Sequence, residues 1–262
     1  MGAGFACAHV LFAVIKERKK LAEWFAKFKA QFILNFIEED RWKMIVKGVG
    51  VTLTITFFAL IIGIVIGVVV AMIRSSFDKN KATMRKGSVY YALSVLDFIC
   101  RVYLTIIRGT PVVVQLLIAY FIIFASSTNG VMIAVFAFGI NSGAYVAEIF
   151  RGGIMSIDSG QFEAGRSLGF NYIQTMRYII IPQVFKNVLP TLGNEFIVLI
   201  KETSVSGYVG LKDITKAGDT IRGRTFSPFM PLIAVALIYL TFVMVLSWLL
   251  GKLERRLRQS ER

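Results

Sequence analysis

The sequence predicts an all-α integral membrane protein with about five transmembrane helices, on three observations. Apolar residues make up 56% of the 262-residue chain and charged residues only 18%, where a soluble domain carries about a quarter charged. Several windows exceed the ~18 apolar residues that a bilayer crossing needs. Short basic stretches separate or flank these windows, as cytoplasmic loops do. The net charge of +14 is therefore read as loops facing anionic lipid, and no nucleic-acid partner is expected. Cys7 and Cys100 are too few and too far apart for a disulfide framework, and with His9 the single histidine no metal site is expected. Phe5–Ile15 lacks a preceding basic stretch, so it is not read as a cleavable signal.

Residues 1–47 come first. Leu21, Trp24, Phe25, Phe28, Phe32 and Phe36 recur at spacings of three and four, with Lys19, Lys20, Glu23, Lys27 and Lys29 on other faces. This pattern suits an amphipathic helix lying on a membrane surface, with a partly ordered tail as the alternative. Phe5–Ile15 alone is too short to span. Span 1 is placed at 48–73, where Ala59, Gly63, Gly67 and Ala71 form a small-residue stripe that admits a close neighbour. Arg74–Ser88 carries five Lys/Arg and one Asp and marks the cytoplasmic side. Asp97 and Arg101 form an i, i+4 pair that can neutralise itself on a helix running along the inner surface. Span 2 follows at 102–125, kinked near Pro111, and Ser126–Asn129 forms an external turn.

Span 3, 131–150, holds Asn141, Tyr145 and Glu148 on one face, at i, i+4, i+7, with Ser142 beside them. An ionisable Glu148 at membrane depth is costly unless paired or hydrated. Two readings stay open: the face lines a transport path, or Glu148 pairs with Arg151 or an arginine of span 2 and holds the bundle. A carboxylate on a path would also hint at a cationic solute.

The polar stretch 151–186 must project into water. Asp158 is placed to cap a helix, with Gln161 at the reciprocal position. Gly169 suits a left-handed helix end. Asn171 is placed to cap a second short helix that Pro182 closes, which predicts two short helices at an angle, a shape suited to docking. Gly160, Gly165, Arg166 and Ser167 have the spacing of a phosphate-cradling loop, but no strand precedes them and Glu163 would repel phosphate, so nucleotide binding is rejected. Span 4, 189–205, carries Asn194 and Lys201 on one face and Glu195 and Glu202 on another, so it is placed against partner helices rather than lipid. Ser206–Pro228 reads as a Gly-rich loop, span 5 as 229–251, and the basic tail 252–262 stays inside. Five spans then put the N-terminus outside. The nine Lys/Arg of residues 1–47 conflict with that placement, and a sixth crossing would remove the conflict.

Within Gln161–Pro182, Glu163-Ala164-Gly165 is followed after three residues by Gly169 and after nine more by Ile179-x-Ile181-Pro182. This closely resembles the EAA loop of bacterial ABC importer permeases. Arg108-Gly-Thr-Pro-Val-Val-Val-Gln115, Ala144 to Gly153, and Asn194-Glu-Phe through Lys201-Glu-Thr-Ser204 are similar to stretches of the polar amino-acid members of that family. Gly165, where the pattern has its second alanine, departs from it and lowers helix propensity by up to ~1 kcal/mol.

The resemblance implies a type I ABC importer permease architecture with a cytoplasmic coupling helix, in a bacterial cytoplasmic (inner) membrane, C-terminus inside. It implies a second permease subunit, identical or different, two ATPase subunits, an extracytoplasmic solute-binding protein and a small polar amino acid as solute. This chain would bind no cofactor and hydrolyse nothing, ATP being consumed by the partner ATPase. Candidate path residues are Arg108, Gln115, Asn141, Tyr145, Glu148 and Glu202. Candidate ATPase-coupling residues are Glu163, Ala164, Gly165, Arg166, Gly169 and Pro182. A secondary transporter is the alternative, against which stands the lack of internal inverted repeats. Another small polar solute would also fit the family.

Overall fold

The apolar run after residue 41 continues well past its expected end. In the computed structural model it forms one helix, α2 (Trp42–Asn80). Residues 2–81 and 84–259 are described, with side chains from Glu17 onward except those at 79, 80 and 258. The expectations placed on the side chains of Phe5–Ile15, Cys7 and His9, on 82–83 and on the tail at 260–262 lie outside them.

Before α2 stands α1 (Gly2–Phe32), and after it come α3 (Ser88–Gly109), α4 (Val112–Ile118), α5 (Gly130–Met155), α6 (Ser159–Ser167), α7 (Tyr172–Thr175), α8 (Ile181–Glu202), α9 (Ile214–Thr225) and α10 (Phe229–Gln259). The described residues contain no strand. Among them α2, α3, α5 and α10 are long and apolar enough to cross a membrane. The fold is all-α, as the composition requires.

The centre of the bundle is the α2–α5 pair, its most extensive helix contact. The small-residue stripe of α2 makes this possible: Ala59 and Ala71 are buried, and a Cβ on Gly67 would lie 2.5 Å from Val146 Cγ1. From α5, Gly139 and Gly143 answer with close approaches to Ile62 and Ile66. Lipid tails are as apolar as Leu, so such backbone approach, rather than hydrophobic burial, holds the helices together. Around this seam Ile55, Leu116, Ala134, Phe138 and Leu199 join α2, α4, α5 and α8 in one apolar cluster.

Three features differ from the sequence-based expectation. The predicted kinked span 102–125 is divided at Thr110-Pro111 into two helices, and α3 itself, including the stretch expected along the inner surface, has the length and apolarity of a span. Pro111 supplies no N–H, and the residue before a proline avoids helical dihedrals; Thr110 is extended at φ −122°, ψ 145°. Pro182 does not close the second short helix. The chain stays helical from Tyr172 through a wider, π-type turn at Met176–Ile180 into α8, and that wider turn makes room for the proline ring. Finally, Ser206–Pro228 is not a loop throughout. Asp213 accepts from the backbone N–H of Thr215 and Lys216 to start α9, whose Ile214, Ala217 and Ile221 are buried.

Candidate functional site

Polar side chains along α2, α3 and α5 converge into one charged cluster. Glu148 of α5 lies 3.2 Å from Arg74 of α2, 3.8 Å from Arg108 of α3 and 3.1 Å from Arg151 on its own helix. Asp97 of α3 is buried, takes Arg101 Nε at 2.7 Å and stands 3.6 Å from Arg74 Nε. The predicted Asp97–Arg101 pair is therefore present, and Arg74 is what joins it to Glu148. Removing Arg74, Asp97 or Glu148, the members at most 25% exposed, leaves uncompensated charge, at a cost of about 3–5 kcal/mol. A cavity of about 470 Å³ opens beside the cluster, lined by Arg74, Arg101, Thr105, Arg108 and Glu148.

Tyr145 sits one turn before Glu148, its ring 5.7 Å below the Arg108 guanidinium. A further turn up, the Asn141 side-chain amide donates to Gln115 Oε1 at 3.0 Å. Gln115 in turn donates to the carbonyls of Ile107 and Thr110 at 2.8 and 3.1 Å. These are carbonyls that the break at Pro111 leaves without a helical partner, so Gln115 staples the end of α3 to α4. Asn141 Oδ1 is buried with no hydrogen-bond partner among the described residues. On the other side of α5, Ser142 donates to Glu195 of α8 at 2.9 Å.

Of the six candidate path residues the structure thus brings five together, Arg108 with Tyr145 and Glu148, and Gln115 with Asn141. Glu202, at the end of α8, makes no hydrogen bond or ion pair with them. Glu148 makes the pairs expected of it, with Arg151 and with an arginine of α3, and it also borders the cavity. Three guanidinium groups surround its carboxylate.

Arg74 is the residue that sequence reasoning missed. It was read with the basic cytoplasmic stretch because the apolar run ends at Ile73. The signal was the stripe itself: Gly67, Ala71 and Arg74 are spaced i, i+4, i+7, on the face turned to α5.

Beyond the C-terminal end of α5, the polar stretch forms an elbow. Asp158 caps α6 by accepting from Gly160 N at 2.6 Å. Gln161 does not reciprocate; it accepts instead from Gln183 of α8 at 3.2 Å. Gly169, at φ +77°, ends α6, with Phe170 N bonding Gly165 O and Gly169 N bonding Arg166 O, the paired bonds of a Schellman turn. Asn171 and Gln174 then cap α7 reciprocally, both bonds at 2.9 Å. Glu163, Ala164 and Arg166 face outward, while Gly165 is buried against Thr175. Phe162 and Ile154 pack with Ile180, Val184 and Val188, which welds the elbow to both α5 and α8.

Comparison with known proteins adds a family, two relatives and two solved structures. Residues 87–259 match the family of binding-protein-dependent transport system inner membrane components. The chain is 35% identical over 220 residues to the glutamine transport system permease protein of Escherichia coli (strain K12), covering 82% of this chain and 93% of that one. It is 34% identical over 220 residues to the arginine transport system permease protein of Bacillus subtilis (strain 168), covering 83% and 94%. A crystal structure of an amino acid ABC transporter with histidines superposes at TM-score 0.72 with 38% identity, over 84% of this chain and 98% of that one. The MetNI methionine ABC transporter shares the fold, at TM-score 0.69 and 20% identity.

Proposed function

This chain belongs to the family of binding-protein-dependent transport system inner membrane components, and we propose that it is the permease subunit of an ATP-driven importer of polar amino acids. It is an integral inner-membrane protein and a non-catalytic subunit. In our reading it pairs with a second permease subunit, two ATPases and an extracytoplasmic solute-binding protein. Its N-terminus is outside and its C-terminus inside, and ATP is consumed by the partners alone.

The elbow carries this reading. A two-helix element capped at both starts and turned through a left-handed glycine holds one shape, and its exposed Glu163, Ala164 and Arg166 offer a surface for an ATPase. Because Phe162 packs on α8, and α7 runs on into α8 through Pro182, a push on the elbow moves α5 and α8 as levers. Those levers carry Asn141, Tyr145 and Glu148 on one side and Glu195 and Glu202 on the other. Movement of α5 against α3 would break and remake the contacts of Glu148 with Arg108 and Arg74, opening the cavity to one side of the membrane at a time.

The solute class follows from charge. More guanidinium than carboxylate groups line the cavity, which favours the carboxylate of an amino acid and leaves a neutral polar side chain, such as that of glutamine, the best fit. The test is uptake into proteoliposomes holding the copurified complex, with ATP inside and the solute-binding protein outside. Uptake of glutamine that requires ATP, and falls more than about tenfold for Glu163→Ala with the complex still assembled, is the expected result; for a lost coupling contact that is a loss of about 1.4 kcal/mol or more. Uptake driven by an ion gradient without ATP would refute the proposal.

A further inference from the structure

The N-terminal helix is absorbed neither by the path nor by the elbow, and it precedes the residues matched by the family. Its end is fixed to the bundle. Asn35 donates to Ser227 Oγ at 3.2 Å and accepts from Thr225 at 2.8 Å, while Ser227 donates to Gln31 at 2.7 Å. The buried Arg41 donates to the Leu34 carbonyl and pairs with Glu39 at 3.1 Å. Glu39 and Asp40, with φ of 53° and 54°, turn the chain sharply between α1 and α2. Phe36 and Ile45 pack with Ile221 and Met230. This joint sits where α2 and α10 both begin, at Trp42 and Phe229, which is the boundary of two candidate spans.

Beyond the joint α1 leaves the bundle. Every described side chain from Glu17 to Ile33 is exposed. Leu21, Trp24, Phe25, Phe28 and Phe32 form one apolar stripe, with the Trp24 ring 5.1 Å from Phe25 and 5.5 Å from Phe28. Beside it stand Arg18, Lys19, Lys20, Lys27 and Lys29, against Glu17 and Glu23 alone. A large aromatic stripe left uncovered by the rest of the chain marks an interaction surface. Its basic flanks match phosphate headgroups, and tryptophan partitions to the level where headgroups meet acyl chains.

We propose that α1 lies along an anionic phospholipid bilayer, in the leaflet at the Trp42 end of α2, with the Leu21–Phe32 stripe immersed and the basic side chains on the headgroups. Lipid headgroups then take up five of the nine basic residues that conflict with an outer N-terminus. The proposal is independent of the transported solute.

The chain has three tryptophans, so the difference in emission between the assembled complex carrying W42F and W248F and the same complex also carrying W24F reports on Trp24. Both are reconstituted in bilayers with or without phosphatidylglycerol, using lipids brominated near the carbonyl or near the methyl end. A helix lying ~5–10 Å into the boundary should be quenched about twofold more by the carbonyl-end bromines, and more in anionic than in zwitterionic bilayers. Replacing Arg18, Lys19, Lys20, Lys27 and Lys29 by Gln should abolish the dependence on phosphatidylglycerol. Unquenched, water-like emission overturns the proposal. So does stronger quenching from the methyl end, which means a crossing, or a blue shift that appears only when the solute-binding protein is added, which means a protein partner. The unsubstituted complex provides an independent readout: amide exchange over 17–33 slows in anionic bilayers, and equal exchange in both lipids overturns the proposal.

Discussion

Replacing Gly165 by alanine restores the small residue that the coupling-loop pattern carries, and in a free helix it would stabilise α6 by up to ~1 kcal/mol. In this chain it meets Thr175. A Cβ at position 165 would lie 2.6 Å from both Cγ2 and Oγ1 of Thr175, and Thr175 is 2% exposed. Overpacking of this kind costs about 1–3 kcal/mol, so Gly165→Ala should lose about 0–2 kcal/mol net and push α6 away from α7. Thr175→Ala removes both obstructing atoms, and its Oγ1 has no hydrogen-bond partner among the described residues to lose. The double variant should therefore recover wild-type stability or exceed it, with a coupling of about 1–3 kcal/mol between the sites. The assay is a double-mutant cycle on the thermal midpoint of the purified complex, read beside ATP-driven uptake. At ~2–4 °C per kcal/mol for a chain of this size, the single variant drops by up to about 8 °C and the double returns. A Gly165→Ala protein at least as stable as wild type with unchanged uptake, or a double variant no better than the single, would refute the close approach.

Glu148→Gln leaves Arg74, Arg108 and Arg151 without their shared carboxylate and should cost about 3–5 kcal/mol, read as loss of assembled permease in the membrane. Wild-type abundance and uptake would show that the carboxylate is not needed. Asn171→Ala removes the reciprocal cap of α7 and should cost ~1 kcal/mol, seen as faster proteolysis between 168 and 176 and weaker ATPase copurification. Asp213 is fully buried, and burial pushes its carboxyl upward against the two backbone N–H bonds it accepts. A carboxyl raised in the folded state favours folding most below its unfolded value of ~3.9 and loses that advantage as pH rises through the folded one. Asp213→Asn keeps the cap acceptor, so the thermal midpoint of wild type relative to this variant should fall as pH rises from ~4; a pH-independent difference would contradict the burial argument.

The elbow was readable because its determinants are local. Asp158, Gly169 and Asn171 act within a few residues of themselves through caps and a left-handed turn, and each does so in the structure. The α2 stripe was readable for the same reason, since a four-residue spacing on one helix needs no partner to be noticed. Pro182 and the 206–228 stretch were misread where local rules compete. A wide turn absorbed the proline, and the cap at Asp213 with Ile214, Ala217 and Ile221 outweighed the glycines around them.

The sequence by itself determined that this is a helical membrane protein, how its apolar runs are ordered, and which of its segments bends into a capped elbow, because hydropathy and capping act over one turn or one span. Only the tertiary structure decided that Arg74 reaches Glu148 and that Gln115 spends its donors on the carbonyls at Pro111. It alone decided that Thr175 requires a glycine at 165. Each of these is a contact between residues far apart in the chain or across a helix break, and its energy depends on distances that no spacing along one helix contains.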